Sequence, residues 1–146
     1  MYNKSCINHS FRCTITKMVS KDEPRPNAEL NFEGDSLETL SAFPPAVRQA
    51  LGFSLWQLQI GLPAACQTRS MSSVGAGVYE LKEADERTWY RAIYLAKVAN
   101  AIHVLHCFEK DSRKTDRRDI EVARQRLKLV KQRMQEQRAD EKRSGK

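Results

Sequence analysis

An arginine, a histidine, aromatic rings and a string of cations are gathered between residues 88 and 119. Arg91 offers a planar fork of permanent charge suited to phosphate. His106 supplies an imidazole, the side-chain type best suited to serve as both acid and base. Glu80 could serve as a base or orient the arginine. Lys110, Arg113 and Lys114 could hold flanking phosphates, Arg117 and Arg118 extend the cationic stretch, and Phe108 or Tyr94 could stack a nucleobase. These groups fit the binding of a phosphodiester. They also fit its cleavage in RNA without a metal, which requires a group to deprotonate the 2′-hydroxyl, one to stabilise the negative phosphorane and one to protonate the 5′ oxygen.

Each residue also has a plainer role open to it. Glu80 and Arg91 could form a cross-strand pair worth less than ~1 kcal/mol. His106 could be a half-buried sheet histidine, and Tyr94 and Phe108 could be ordinary strand residues in a core. The cationic stretch could be a solvated helix face. His103, beside Leu105, reads as structural, and Trp56 and Trp89 as packing residues.

Three strands must position this set. Residues 78–83, 88–98 and 101–110 are separated only by short turns, so they should pair as an antiparallel meander, because parallel neighbours need a long crossover. A period of two puts Ile102, Val104, His106, Phe108 and Lys110 on one face of the third strand, and His103, Leu105, Cys107 and Glu109 on the other. Arg91 shares a face with Ile93 and Leu95, and Tyr90 with Tyr94. From Thr115 or Asp116 as N-cap, Ile120, Ala123, Leu127, Val130 and Met134 form the narrow apolar seam of a long basic helix. Apolar residues stop at that point, and residues 136–146 are expected to be a frayed charged tail.

Upstream, residues 28–33 suggest a short edge strand, followed by Gly34 and an N-cap at Asp35 or Ser36. Leu37, Leu40 and Phe43 lie on one helical face, Pro44 and Pro45 interrupt, and Val47, Leu51, Leu55 and Leu58 resume the stripe. Gly61 and Pro63 fit a C-terminal stop. Residues 67–77 read as a loop with a possible strand near Met71. The expected fold is therefore α+β: an N-terminal helical hairpin packed on a small antiparallel sheet of three or four strands, with a long basic C-terminal helix.

Length and charge bound the rest. The chain has 146 residues, 40% of them hydrophobic, which suits one globular domain, placed here at residues 28–135. No apolar run approaches the ~20 residues of a membrane-spanning helix, and the apolar centre of a secretory signal is missing, so no membrane is expected and a cytoplasmic location is the default. The net charge of +7 sits in one region: residues 110–146 hold 14 Lys/Arg against 7 Asp/Glu, whereas residues 1–109 hold 11 of each. Such a localised field favours a polyanionic partner. Cysteines 6, 13, 66 and 107 have no framework spacing, so thiols are expected. Cys6, His9 and Cys13 match no standard zinc knuckle and lack a fourth ligand, leaving no metal or other cofactor expected. Residues 1–27 read as a loose leader ending in charges and prolines, and Met18 is a candidate alternative start.

An ordered series of motifs carries a resemblance. Ser36-Leu37, Phe43-Pro44, Val47-Arg48, Gly61-Leu62, the run from Gly75 to Leu81, Tyr90 to Lys97, Val104 to Lys110, Lys114-Thr115, and Asp119-Ile120 to Ala123-Arg124 resemble the phage-derived, HigB-like branch of the RelE/ParE toxin superfamily, in order across about residues 28–130. The resemblance implies a compact α/β toxin of a type II toxin–antitoxin pair that cuts mRNA on the ribosome without metal. It further implies a small helix-turn-helix antitoxin as partner, with operator DNA bound only through the complex. The superfamily's recurring positions fall on Glu80, Arg91, His106, Phe108, Lys110, Lys114 and Thr115. Two departures stand out: the leader has no counterpart in relatives, and Asp116 occupies a position where relatives often have proline. A gyrase-poisoning toxin like ParE and a non-catalytic nucleic-acid- or antitoxin-binding protein remain as alternatives, since a shared fold does not determine the target.

Overall fold

The computed structural model describes residues 27–98, 100–111 and 115–145. The leader with Met18, the Cys6, His9 and Cys13 set, Arg113 and Lys114 lie outside the described residues.

Strand β1, Glu29–Phe32, opens the fold, and Gly34 turns the chain into helix α1, Ser36–Ser41. Asp35 occupies the N-cap position but makes no side-chain cap. Ser36 instead donates its hydroxyl to the Val104 carbonyl and ties the helix to the sheet. The proline pair is the start of a helix as well as an interruption: Pro44 caps α2, Pro45–Gln59, and Pro45 takes a first-turn position whose missing N–H has no intrahelical partner to lose. Gly61, at φ 83°, lets the chain leave the helix in the left-handed region.

Four strands follow: β2, Gln67–Ser70; β3, Val78–Ala84; β4, Trp89–Val98; and β5, Ala101–Lys110. The expected meander is present in β3, β4 and β5, each antiparallel to the next. The sheet is larger than expected and mixed, with the order β1-β5-β4-β3-β2. The weak strand near Met71 is β2, antiparallel to β3, while β1 lies parallel to β5 on the far edge. The parallel pairing is possible because the two helices and three strands between β1 and β5 supply the long connection it requires.

Helices cover both faces. On one, Leu40 of α1, Phe43 of the linker and Val47, Leu51 and Leu55 of α2 pack against Leu81, Tyr90, Ala92, Tyr94, Ile102 and Val104. On the other, the seam of α3, Arg117–Ser144, brings Ala123, Leu127 and Val130 against Val78, Ile93, Leu95, Leu105 and Phe108. Each large aliphatic side chain buried this way stabilises the fold by ~1.5–3 kcal/mol. The seam matches the expected spacing. Beyond Gln135, where fraying was expected, α3 continues to Ser144, because residues 135–143 are rich in Glu, Gln, Arg, Lys and Ala, and a helix-breaking glycine arrives only at Gly145. Lys142 and Arg143 in the last turn suit the helix dipole.

Candidate active site

An irregularity in β5 sets the site. Ile93 pairs with His106 but the next residue, Tyr94, pairs with Val104, so Leu105 is an extra residue bulged out of the ladder. Strict alternation would keep Val104 and His106 on one face. The bulge separates them: Val104 faces α1 and α2, whereas His106 faces α3. Arg91 and Phe108 are cross-strand partners, and Phe108 packs into the α3-side cluster, so Arg91, His106 and Phe108 share the face that α3 covers. Cys107 goes to the opposite side, where complete burial pushes its thiol up to about 12, far from a nucleophile.

Two polar clusters form on that face. The first is closed. Arg91 Nη1 donates to Thr115 Oγ1 at 2.7 Å and lies 3.3 Å from Glu80 Oε1, and Thr115 Oγ1 donates to Glu80 Oε2 at 2.8 Å. The side chains of Arg91 and Glu80 are both 0% exposed, with Lys82 3.8 Å from Glu80 at the margin. Thr115, immediately before α3, is the lid. The guanidinium expected as an open phosphate fork shares a face with His106, but its side chain is withdrawn from water and its Nη1 is engaged by Glu80 and Thr115.

The second cluster reaches solvent. His106 Nε2 lies 2.9 Å from Asp119 Oδ1, and the two side chains are 13% and 18% exposed. On the other ring nitrogen, Arg126 Nη1 approaches Nδ1 at 3.5 Å while donating to the Leu105 carbonyl at 2.9 Å. Arg126 Nη2 also donates to Asp35 Oδ1 at 2.8 Å. This hydrogen bond to Arg126 holds the Asp35 carboxyl below its ordinary value and explains why Asp35 does not cap α1. Phe108 stacks on the imidazole, centroids 5.1 Å apart and planes tilted by 20°.

The remaining candidates divide. Lys110 is paired with Asp116, whose carboxyl is lowered by that hydrogen bond, so the N-cap aspartate of α3, like that of α1, is used across elements. Arg117 and Arg118 are exposed in the first turn of α3, near enough in sequence to Asp119 to flank the second cluster. Tyr94 lies apart from both clusters. It lies on the α1–α2 face, stacked with Tyr79, and burial raises its hydroxyl to about 12. Phe108 is itself mostly buried, so what it offers is support for the histidine ring. Arg113 and Lys114 lie outside the described residues.

Asp119 and Arg126 were given no role in the sequence reading. They are seven residues apart on a helix and so share a face. That spacing is a weak signal, because it gains meaning only once α3 docks over His106. Among the described residues no three His, Cys, Asp or Glu side chains cluster so as to hold a metal ion, and no helix is long and apolar enough to cross a membrane.

The family profile described as "Phage derived protein Gp49-like (DUF891)" matches residues 38–128, more than half of the chain and including both clusters. The chain belongs to the Gp49-like family. This is a phage-derived family of toxin–antitoxin toxins with a RelE-like fold, in keeping with the helix-flanked sheet described above. No curated protein and no solved structure matches the chain significantly.

Proposed function

We propose that this Gp49-like protein is the toxin of a type II toxin–antitoxin pair, close to the HigB-like branch, and that it cleaves mRNA bound to the ribosome without a metal. The observation that carries the reading is His106, held by Asp119 at 2.9 Å and partly open to solvent at the head of a basic helix that exposes Arg117 and Arg118. In this arrangement the imidazole exchanges the proton while cations of α3 and Lys110 hold the RNA backbone. Arg91, Glu80 and Thr115 brace the start of α3 and keep the floor of the site in place. The partner is a small helix-turn-helix antitoxin that blocks the site and carries the complex to operator DNA. The place of action is the cytoplasm, where translating ribosomes are found.

Induction of the full chain in bacteria should arrest growth and produce new mRNA 5′ ends within codons. Co-expression of the protein encoded next to it should relieve the arrest. His106→Ala should abolish both the arrest and the new ends while leaving the protein folded. Arrest with intact messages, DNA breaks and an SOS response would replace this reading with gyrase poisoning. Salt-sensitive RNA binding with no cleavage, even on translating ribosomes, would replace it with a non-catalytic binder.

A further inference from the structure

We infer that Asp119, His106 and Arg126 form the unit that engages the phosphodiester, with Arg126 as the phosphate-binding cation and Asp119 as the residue that positions the imidazole. The inference rests on the nuclease reading and names the side chains that do its chemistry. Arg91, the arginine that sequence spacing singles out, is sealed at 0% exposure, whereas the Arg126 side chain is 20% exposed.

Two backbone irregularities converge on Arg126. The β5 bulge turns His106 toward α3 and leaves the Leu105 carbonyl to accept from Arg126 Nη1. Across the site, Gly34 adopts φ 56°, and a Cβ there would lie 2.5 Å from the Arg126 Cζ. No residue with a side chain fits without moving the guanidinium. Asp35, the next residue, takes its second edge. Bulge, glycine and aspartate together hold the fork flat beside the imidazole.

The hydrogen bonds set the tautomer. Asp119 accepts from Nε2, and guanidinium can only donate, so the neutral ring carries its proton on Nε2 and turns the Nδ1 lone pair toward Arg126. A phosphate taken by Arg126 therefore comes to the basic nitrogen. In RNA, Nδ1 removes the proton of the 2′-hydroxyl, and the 2′ oxygen attacks the adjacent phosphorus. The P–O5′ bond breaks, leaving a 2′,3′-cyclic phosphate, and the 5′ oxygen takes its proton from water. Asp119 stabilises the imidazolium formed, as the carboxylate does in other carboxylate–histidine pairs.

The test is NMR of the full chain with 15N-labelled histidine and arginine, with inorganic phosphate as probe. The wild type should show His106 protonated on Nε2, and phosphate should move the Arg126 Nε–H and His106 signals. Arg126→Lys should lose that response, the exposed Lys131→Gln should keep it, and Asp119→Asn should change the tautomer balance. In cleavage, Asp119→Asn should lower kcat by about 10²-fold or more with KM little changed, and Asp119→Glu should recover part of it. A proton on Nδ1 in the wild type, or a phosphate response unaltered in Arg126→Lys, would overturn the inference. Absence of growth arrest alongside an intact phosphate response would count against the toxin reading and leave the phosphate site standing.

Discussion

Two polar clusters lie on one face of the same sheet, and burial separates them. Glu80, Arg91 and Thr115 bond to one another with the two charged side chains wholly withdrawn from water. Around His106, Asp119 lies at 2.9 Å and Arg126 at 3.5 Å, and each of the three side chains is partly exposed. Closed charges cannot meet a ligand without being uncovered, and removing one partner leaves the other stranded. Partly open ones keep the capacity to exchange partners. The same residue types, an acid with a base or cation, therefore support the fold in one place and suit chemistry in the other.

The sharpest way to break this contrast is at Arg91. Arg91→Ala should cost ~3–5 kcal/mol, because it leaves Glu80 buried without its main counter-charge. Urea denaturation measures it, and a loss below ~1 kcal/mol would show that the cluster is not sealed. Thr115→Val removes a hydroxyl that both accepts and donates while conserving shape, and should cost ~1–3 kcal/mol in the same assay. His106→Ala, in the open cluster, should change stability by no more than ~1 kcal/mol while abolishing toxicity. A large loss of stability there would place His106 with the structural set.

The smallest effect sharpens the comparison through pH. The native Asp35 carboxyl is held below its ordinary 3.8, first by the Arg126 hydrogen bond. A lowered native value means that the stabilisation is present above the unfolded value and is lost as pH falls through the native one. The side chain is 61% exposed, so solvent screening limits the contribution to less than ~1 kcal/mol. Asp35→Asn should thus be slightly less stable than the wild type at pH 7, with the difference vanishing near pH 2. A difference independent of pH would mean that the Asp35–Arg126 pair contributes nothing electrostatic.

Particular residues show how far sequence reading reaches. The α3 seam of Ala123, Leu127 and Val130 and the α2 stripe of Val47, Leu51 and Leu55 are buried as their spacing requires, since helical periodicity is a local property. The β3–β4–β5 meander followed from short turns. Edge strands β1 and β2 were weaker signals, being only four residues long. The candidate site was legible only in residue type. His106 and Lys110 stood out by chemical type, but a period-two count could not reveal an extra residue at Leu105, and it kept His106 in register with Val104. Nor could it show that Thr115 closes over Arg91, because that depends on where α3 lands.

Sequence by itself determined the helices, the order of the main strands, the concentration of positive charge beyond residue 109 and the resemblance to a toxin superfamily, all of which are written in local pattern and composition. Tertiary structure alone decided which arginine is sealed and which is open, and which carboxylate meets the histidine. Burial and hydrogen-bond partners arise between segments far apart in the chain: Asp35 and Arg126 are 91 residues apart and Thr115 and Glu80 are 35. No local pattern encodes such a pairing until the helix and the sheet have docked.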